Sequence, residues 1–423
     1  MPPSDRARPT RRQLLTASAV SLGGVTLGPA LGALPATAQG ATPADLGGGS
    51  RRPRHTITID GEPYPDPLHL ERGTPVRRAR LWETHRRAEL QQLFAQHVHG
   101  TMLPRPQEQS AEVSVQQFAT VVRKDLTTHV TGPFGSGSWL TRVFVPTGEV
   151  RGTFLLIDHR GAATDDPEQD TPYLPVRTIN RAGYALAVFD AKEVAPDDPA
   201  RYREGVIDLF SDPSAPLPPT AGRAIAAWAW AASRVMDHLS EDPDLDPARI
   251  ALIGHSRSGK ASLLAGGLDQ RFVTVITNDS GSTGSKLARR GKGDDGRAED
   301  VAKITSTFPH WFSEVYASYA GREEALPVDQ HQLMALVAPR RLYVTSATED
   351  ANADPEGEFL AYVAAAPVYG LYGLADTGLP STTWPPSADV PVRGPAMSYH
   401  LRTGGHGLTE VDWGWFLAGD LFD

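Results

Sequence analysis

Apolar and polar positions alternate along one stretch of this chain and lose that alternation along most of the rest. From Ala111 to Val145 they alternate, with turn signals at Gly132-Pro133 and Gly135–Gly137, which predicts antiparallel strands. Beyond residue 150 the rhythm changes. Gly152–Ile157, Tyr184–Phe189, Ile250–Ile253, Val273–Thr277 and Leu342–Ser346 are short apolar runs without alternation, as expected for strands covered on both faces. Helical segments separate them. Arg80–Val98 interleaves charged and apolar residues at helical spacing. Ala221–Leu239 carries Trp228, Trp230 and Met236, which read as core, and stops at Asp242-Pro243 before the next strand. Strands alternating with helices predict an α/β architecture: a mostly parallel sheet covered on both sides, with antiparallel strands at its N-terminal edge. No internal repeat is visible. Pro380–Pro395, with five prolines, reads as a loop placed to rim a site.

The N-terminal pattern is of another kind. Thr10-Arg11-Arg12-Gln13-Leu14-Leu15 is a twin-arginine motif, followed by an apolar, Gly- and Ala-rich stretch and the small-residue site Ala36-Thr37-Ala38. Residues 1–38 are therefore expected to be a cleaved export signal, 39–56 a disordered leader, and 57–423 a single catalytic domain of a secreted protein. No later run reaches the ~20 apolar residues of a membrane span, so no membrane attachment is expected after cleavage. The net charge of −9 becomes more negative once Asp5 and four arginines are removed, which argues against nucleic acid as a partner. The chain has no cysteine, so an ordinary hydrophobic core must supply its stability, and 40% apolar residues suffice at this length. A monomer without metal or cofactor is expected.

The densest chemistry lies at Ile253-Gly254-His255-Ser256-Arg257-Ser258-Gly259-Lys260, behind the apolar Ile250-Ala251-Leu252. A buried strand running through Gly-x-Ser into a small-residue helix is the layout of a nucleophile elbow, where flanking side chains would clash. Here the second glycine is displaced by one position, to Gly259. Ser256 needs a base, and His406, in the glycine-rich Thr403–Gly407 after the strand-like Ser398–Arg402, is the best placed of the 13 histidines. His400 lies within the strand pattern and reads as structural. The acid that orients the base has two candidates. Asp350 follows the strand Leu342–Ser346, and Asp279 follows the preceding one.

With these motifs assembled, the chain resembles the bacterial glucuronoyl esterases, carbohydrate esterases of the α/β-hydrolase superfamily. The resemblance covers about residues 150–420. It rests on Ala227-Trp228-Ala229-Trp230, the stretch Gly254–Lys260, Asn278-Asp279-Ser280-Gly281, Phe308-Pro309-His310-Trp311-Phe312, Leu326–His331, Ala338-Pro339-Arg340, Glu349-Asp350 with Ala353-Asp354-Pro355, and Gly405-His406. It implies a three-layer α/β-hydrolase sandwich that cleaves glucuronate esters through Ser256 and His406. It also implies Arg257 as a donor to the oxyanion, and Lys260 and Glu299 as contacts to the sugar ring. An arginine is always charged and offers a fixed fork of donors. Two cations at the positive end of a helix are unfavourable unless they serve a purpose.

Two positions depart from the family pattern. Asp279 stands where the family commonly has Glu, one methylene longer, which shifts weight to Asp350. Asn352 stands where a substrate-stacking Trp is common, so stacking must come from elsewhere, with Trp384 in the proline-rich loop as the candidate. The expected function is a secreted serine esterase acting on glucuronate esters of glucuronoxylan, including lignin–carbohydrate ester bonds. The alternatives are an acetyl or feruloyl-type xylan acyl esterase of the same fold, which has no need of Lys260 and Glu299, and a silent carbohydrate-binding protein, which has no need of the serine and histidine.

Overall fold

The non-alternating runs form the centre of a ten-stranded sheet in the computed structural model, which describes residues 53–422. The expected export signal and most of the leader lie outside the described residues. At the start, β1 (Thr56–Ile59) and β2 (Glu62–Pro65) form a small hairpin turning at Asp60-Gly61, both at positive φ. A helix over residues 79–99 follows, with π-helical stretches at Trp82–Arg86 and Ala95–His99. The predicted alternation then appears as three long antiparallel strands, β3 (Glu108–Gln117), β4 (Val121–Gly132) and β5 (Gly135–Pro146). Of the two turn signals only Gly132-Pro133 marks a reversal; Gly135–Gly137 belongs to β5 itself.

Six parallel strands make up the middle: β6 (Thr153–Asp158), β7 (Ala185–Asp190), β8 (Ile250–His255), β9 (Thr274–Asn278), β10 (Arg341–Ala347) and β12 (Met397–Arg402). The short β11 (Val392–Arg393) pairs antiparallel with β12 at the far edge, giving the order β11-β12-β10-β9-β8-β6-β7-β5-β4-β3. Every residue of β6 and β8 is buried, and neighbours along a strand enter opposite cores. Leu155 and Leu252 point to the layer holding helices Ala224–Leu239, Arg257–Leu268 and Pro355–Gly370; Leu156 and Ile253 point to the layer holding Val176–Arg181 and Glu410–Ala418. Apolar side chains on both faces leave no room for polar alternation, which is why these strands read as continuous runs. The result is a three-layer α/β sandwich. Loops leaving the C-terminal ends of the parallel strands meet over β8, the usual place for a site in such sheets.

Candidate active site

The turn after β8 forces Ser256 to φ +56°, ψ −125°, a strained conformation for a residue with a Cβ. Two close approaches explain the glycines around it. A Cβ on Gly254 would lie 2.1 Å from the Ser258 carbonyl oxygen, and one on Gly259 would lie 2.8 Å from the Ser280 Cβ. The displaced glycine therefore lets the helix that begins at Arg257 pack on the loop after β9. Ser258, where many elbows have glycine, hydrogen-bonds His159 Nδ1 at 3.0 Å.

His406 reaches over from the loop after β12. Its Nε2 lies 2.9 Å from Ser256 Oγ, and its Nδ1 lies 2.6 Å from Asp350 Oδ2. The carboxylate fixes Nδ1–H as donor, which leaves Nε2 as acceptor for the seryl hydroxyl. Asp350 is buried while His406 is partly exposed, so the carboxylate is shielded and the imidazole is open to solvent. His400, by contrast, lies inside the core, bonded to Tyr343 and Asp412. His255, next to the serine, accepts from Arg160 and donates to Asn278 Oδ1. Burial, with His406 and Arg160 nearby, keeps it neutral beside the His406 ring, 4.6 Å away.

Asp279 sits beside this relay but makes no hydrogen bond to His406. Its Oδ2 accepts from Gly407 N–H at 3.0 Å, and its Oδ1 has no hydrogen-bond partner among the described residues. Arg402 comes within 3.5 Å, but that guanidinium is spent on Asp412 and the carbonyls of Thr403, Gly405 and Gly407. Burial, together with repulsion from Glu358, Asp350 and Asp412, raises the Asp279 carboxyl well above the usual carboxylate range. The donor atoms of Asp279, Asp350 and His406 lie within 4.8 Å of one another. The 2.6 Å separation of His406 and Asp350 is that of a hydrogen bond, and too short for two ligands ~2 Å from one tetrahedral ion.

The relay opens into a cavity of about 180 Å³ lined by Ser256, Arg257, Lys260, Glu299, Phe308 and Trp311, among others. Lys260 is buried, donates to the carbonyls of Ser280 and Ser282 at 2.6 Å each, and lies 3.9 Å from Glu299. Burial lowers its pKa to about 8, against the opposing pull of Glu299 and Glu358. Arg257 stacks over the rings of Trp311 and Phe308, 4.8 and 5.3 Å from their centroids, and its Nη1 donates to Asp197. The stacking expected of Trp384 is not available here. Its ring is not among the residues lining the cavity and packs instead on Phe359, so the proline-rich loop covers the core at the β11–β12 edge. Asn352 is at the cavity and accepts from Lys303 Nζ at 2.6 Å. The aromatic wall is formed by Trp311 and Phe308, stacked 3.7 Å apart. Sequence reasoning used these two only as part of a motif, and it missed Asp197 and His159 although both follow ends of parallel strands.

A family model described as glucuronyl esterase, fungi, matches residues 171–373. Carbohydrate esterase MZ0003, from an unknown prokaryotic organism, is 33% identical over 385 residues, covering 82% of this chain and 87% of the relative. A 4-O-methyl-glucuronoyl methylesterase of Phanerochaete carnosa is 27% identical over 328 residues, 76% of this chain and 75% of its own length. Among solved structures, a glucuronoyl esterase from Solibacter usitatus superposes with a TM-score of 0.75 at 34% identity, covering 85% of this chain and 97% of that one. A promiscuous esterase of the same carbohydrate esterase family, from a marine bacterial metagenome, gives a TM-score of 0.73 at 30% identity over 87% and 98%.

Proposed function

We propose a serine-esterase mechanism on glucuronate esters for this chain, which belongs to the glucuronoyl esterase family, carbohydrate esterase family 15. The observation that carries the proposal is the relay Ser256–His406–Asp350, opening into the cavity that holds Lys260 and Glu299. His406 takes the seryl proton as Oγ attacks the ester carbonyl, and Asp350 stabilises the imidazolium that forms. Arg257 and a backbone N–H receive the charge on the tetrahedral oxygen. Collapse expels the alcohol, which leaves with the proton from His406, and the glucuronoyl group stays on Ser256. Water then repeats the sequence with His406 as base and releases the acid.

Lys260 and Glu299 grip the acid side of the ester. Two buried charged groups that face a small cavity suit a hydroxyl-rich uronate ring, and an acetyl group has no hydroxyls to offer them. The substrate class is therefore glucuronate esters of glucuronoxylan, including those to lignin alcohols, rather than acyl groups on xylan. We further assign residues 1–38 to twin-arginine export and 57–423 to a monomeric secreted catalytic domain. Among the described residues no helix is long and apolar enough to cross a membrane. Steady-state kinetics on benzyl glucuronate and on an aryl acetate tests the assignment. A kcat/KM about 10-fold or more higher on the glucuronate is expected, since a hydrogen bond to a charged group contributes ~1.5–3 kcal/mol. Preference for the acetate would overturn it.

A further inference from the structure

Arg257 is held by more than its place at the start of a helix. Asp197, on the loop after β7, accepts from three donors on two other segments. Its Oδ2 takes the Arg257 Nη1–H, and its Oδ1 takes His310 Nε2–H at 2.9 Å and Trp311 Nε1–H at 2.7 Å. Burial alone would raise this carboxyl; the hydrogen bonds from His310, Trp311 and Arg257 outweigh it and hold it well below the usual carboxylate range. One carboxylate thus fixes both the cation and the indole beneath it. Nη2 of Arg257 makes no hydrogen bond among the described residues, and the side chain keeps 29% of its exposure.

Both segments are anchored to one rigid element. Trp228 Nε1–H, from helix Ala224–Leu239, donates to the carbonyl of Ala195 at 2.9 Å, two residues before Asp197. The first amides of that helix, Ala224 and Ile225, donate to the carbonyls of His310 and Trp311. Asp197 and the aromatic wall therefore cannot move independently, and the guanidinium between them is set before substrate arrives. Preorganisation of this kind lets a donor aimed at developing charge act without reorganising in the transition state.

We propose that Asp197 is a positioning residue for the reaction. It occupies Nη1 of Arg257 and fixes Trp311 beneath the guanidinium, so that the free edge of the fork faces the tetrahedral oxygen. This rests on Arg257 as the oxyanion donor. It adds a requirement for an anion seven residues beyond β7, which the serine, histidine and acid do not explain.

The isosteric Asp197→Asn variant isolates the contact. Its one oxygen stays with His310 and Trp311, whose N–H groups both need an acceptor, and its NH₂ then faces the Arg257 donor. Kinetics on benzyl glucuronate, normalised to fluorophosphonate-labelled sites, should show kcat down about 10-fold or more with KM within about twofold. A misplacement of ~1 Å costs up to about 100-fold, and the charge being met exists only in the transition state. The effect should vanish in an Arg257→Ala background, because Asp197 acts through that arginine. An equal loss in both backgrounds, or a normal kcat in Asp197→Asn, overturns the proposal. If Arg257→Ala itself keeps a normal kcat, the oxyanion assignment is what has failed. Should Asp197→Asn not fold, the same cycle run with Asp197→Glu, which keeps the charge one methylene further out, decides by the same criterion.

Discussion

Two carboxyls lie close to His406, and replacing each by its amide should have opposite consequences. Asp350 holds His406 Nδ1–H at 2.6 Å from a buried position. An amide there presents either a neutral oxygen or an N–H₂ that favours the wrong tautomer, and it cannot stabilise an imidazolium. In a serine protease the equivalent change costs about 10⁴-fold in kcat. We expect Asp350→Asn to lose about 10³-fold or more. Asp279 is in a different state. Burial and three neighbouring carboxylates hold it well above the usual range, its hydrogen bond goes to Gly407 N–H and not to His406, and an amide has nearly the same shape. The Gly407 N–H bond survives on the amide oxygen. Asp279→Asn should therefore change kcat by no more than about fivefold, the worth of one neutral hydrogen bond at ~1 kcal/mol. Initial rates on benzyl glucuronate at pH 7, per labelled serine, measure both. The reasoning is refuted if Asp279→Asn proves the more damaging of the two.

Two other expectations follow from the same geometry. Ser256→Ala and His406→Ala should each lower kcat about 10³-fold or more, and combining them should add little, because such groups act as a unit; more than a tenth of wild-type turnover in either removes the mechanism. Lys260 is charged below its pKa of about 8 and loses its proton as pH rises through that value, so KM for a glucuronate ester should climb above pH 8. Lys260→Met should show a high KM at every pH and no such inflection, and a flat wild-type KM from pH 7 to 9 would exclude Lys260 as a charged ligand.

Much of the frame was legible because burial on both faces leaves a mark on composition. The runs around Leu155, Leu252 and Val344 could alternate only if one face met water, and neither does. Helix Pro355–Gly370 left no comparable mark. It is apolar nearly all round, contains Pro367 and starts from an Asp354 cap, so no face stands out from its sequence. The Asp60-Gly61 turn is a hairpin signal, but the flanking strands have only four residues each, too few for an alternating pattern to stand out.

The site divides along the same line. Ser256, Asp279, Asp350 and His406 each follow the end of a parallel strand within a few residues, so strand boundaries in the sequence also bound the candidates. The choice between the two acids turned on side-chain reach, and the short Asp279 stops at the Gly407 amide instead of the imidazole. Arg257, Lys260 and Glu299 could be named because they lie in recognisable motifs. Trp384 and Trp311 show where such reasoning ends. Each is a tryptophan near prolines in an irregular segment, and composition treats them alike. What separates them is which surface the loop crosses: residues 308–312 are tied by backbone bonds to the start of helix Ala224–Leu239, beside the elbow. The proline-rich loop is tied instead to the outer edge of β12, where Phe359 and Tyr399 offer an apolar bed. Asp197 is the extreme case. A carboxylate seven residues past a strand end has no local reason to be anything but a loop residue, and it becomes part of the site only because three donors from two distant segments converge on it.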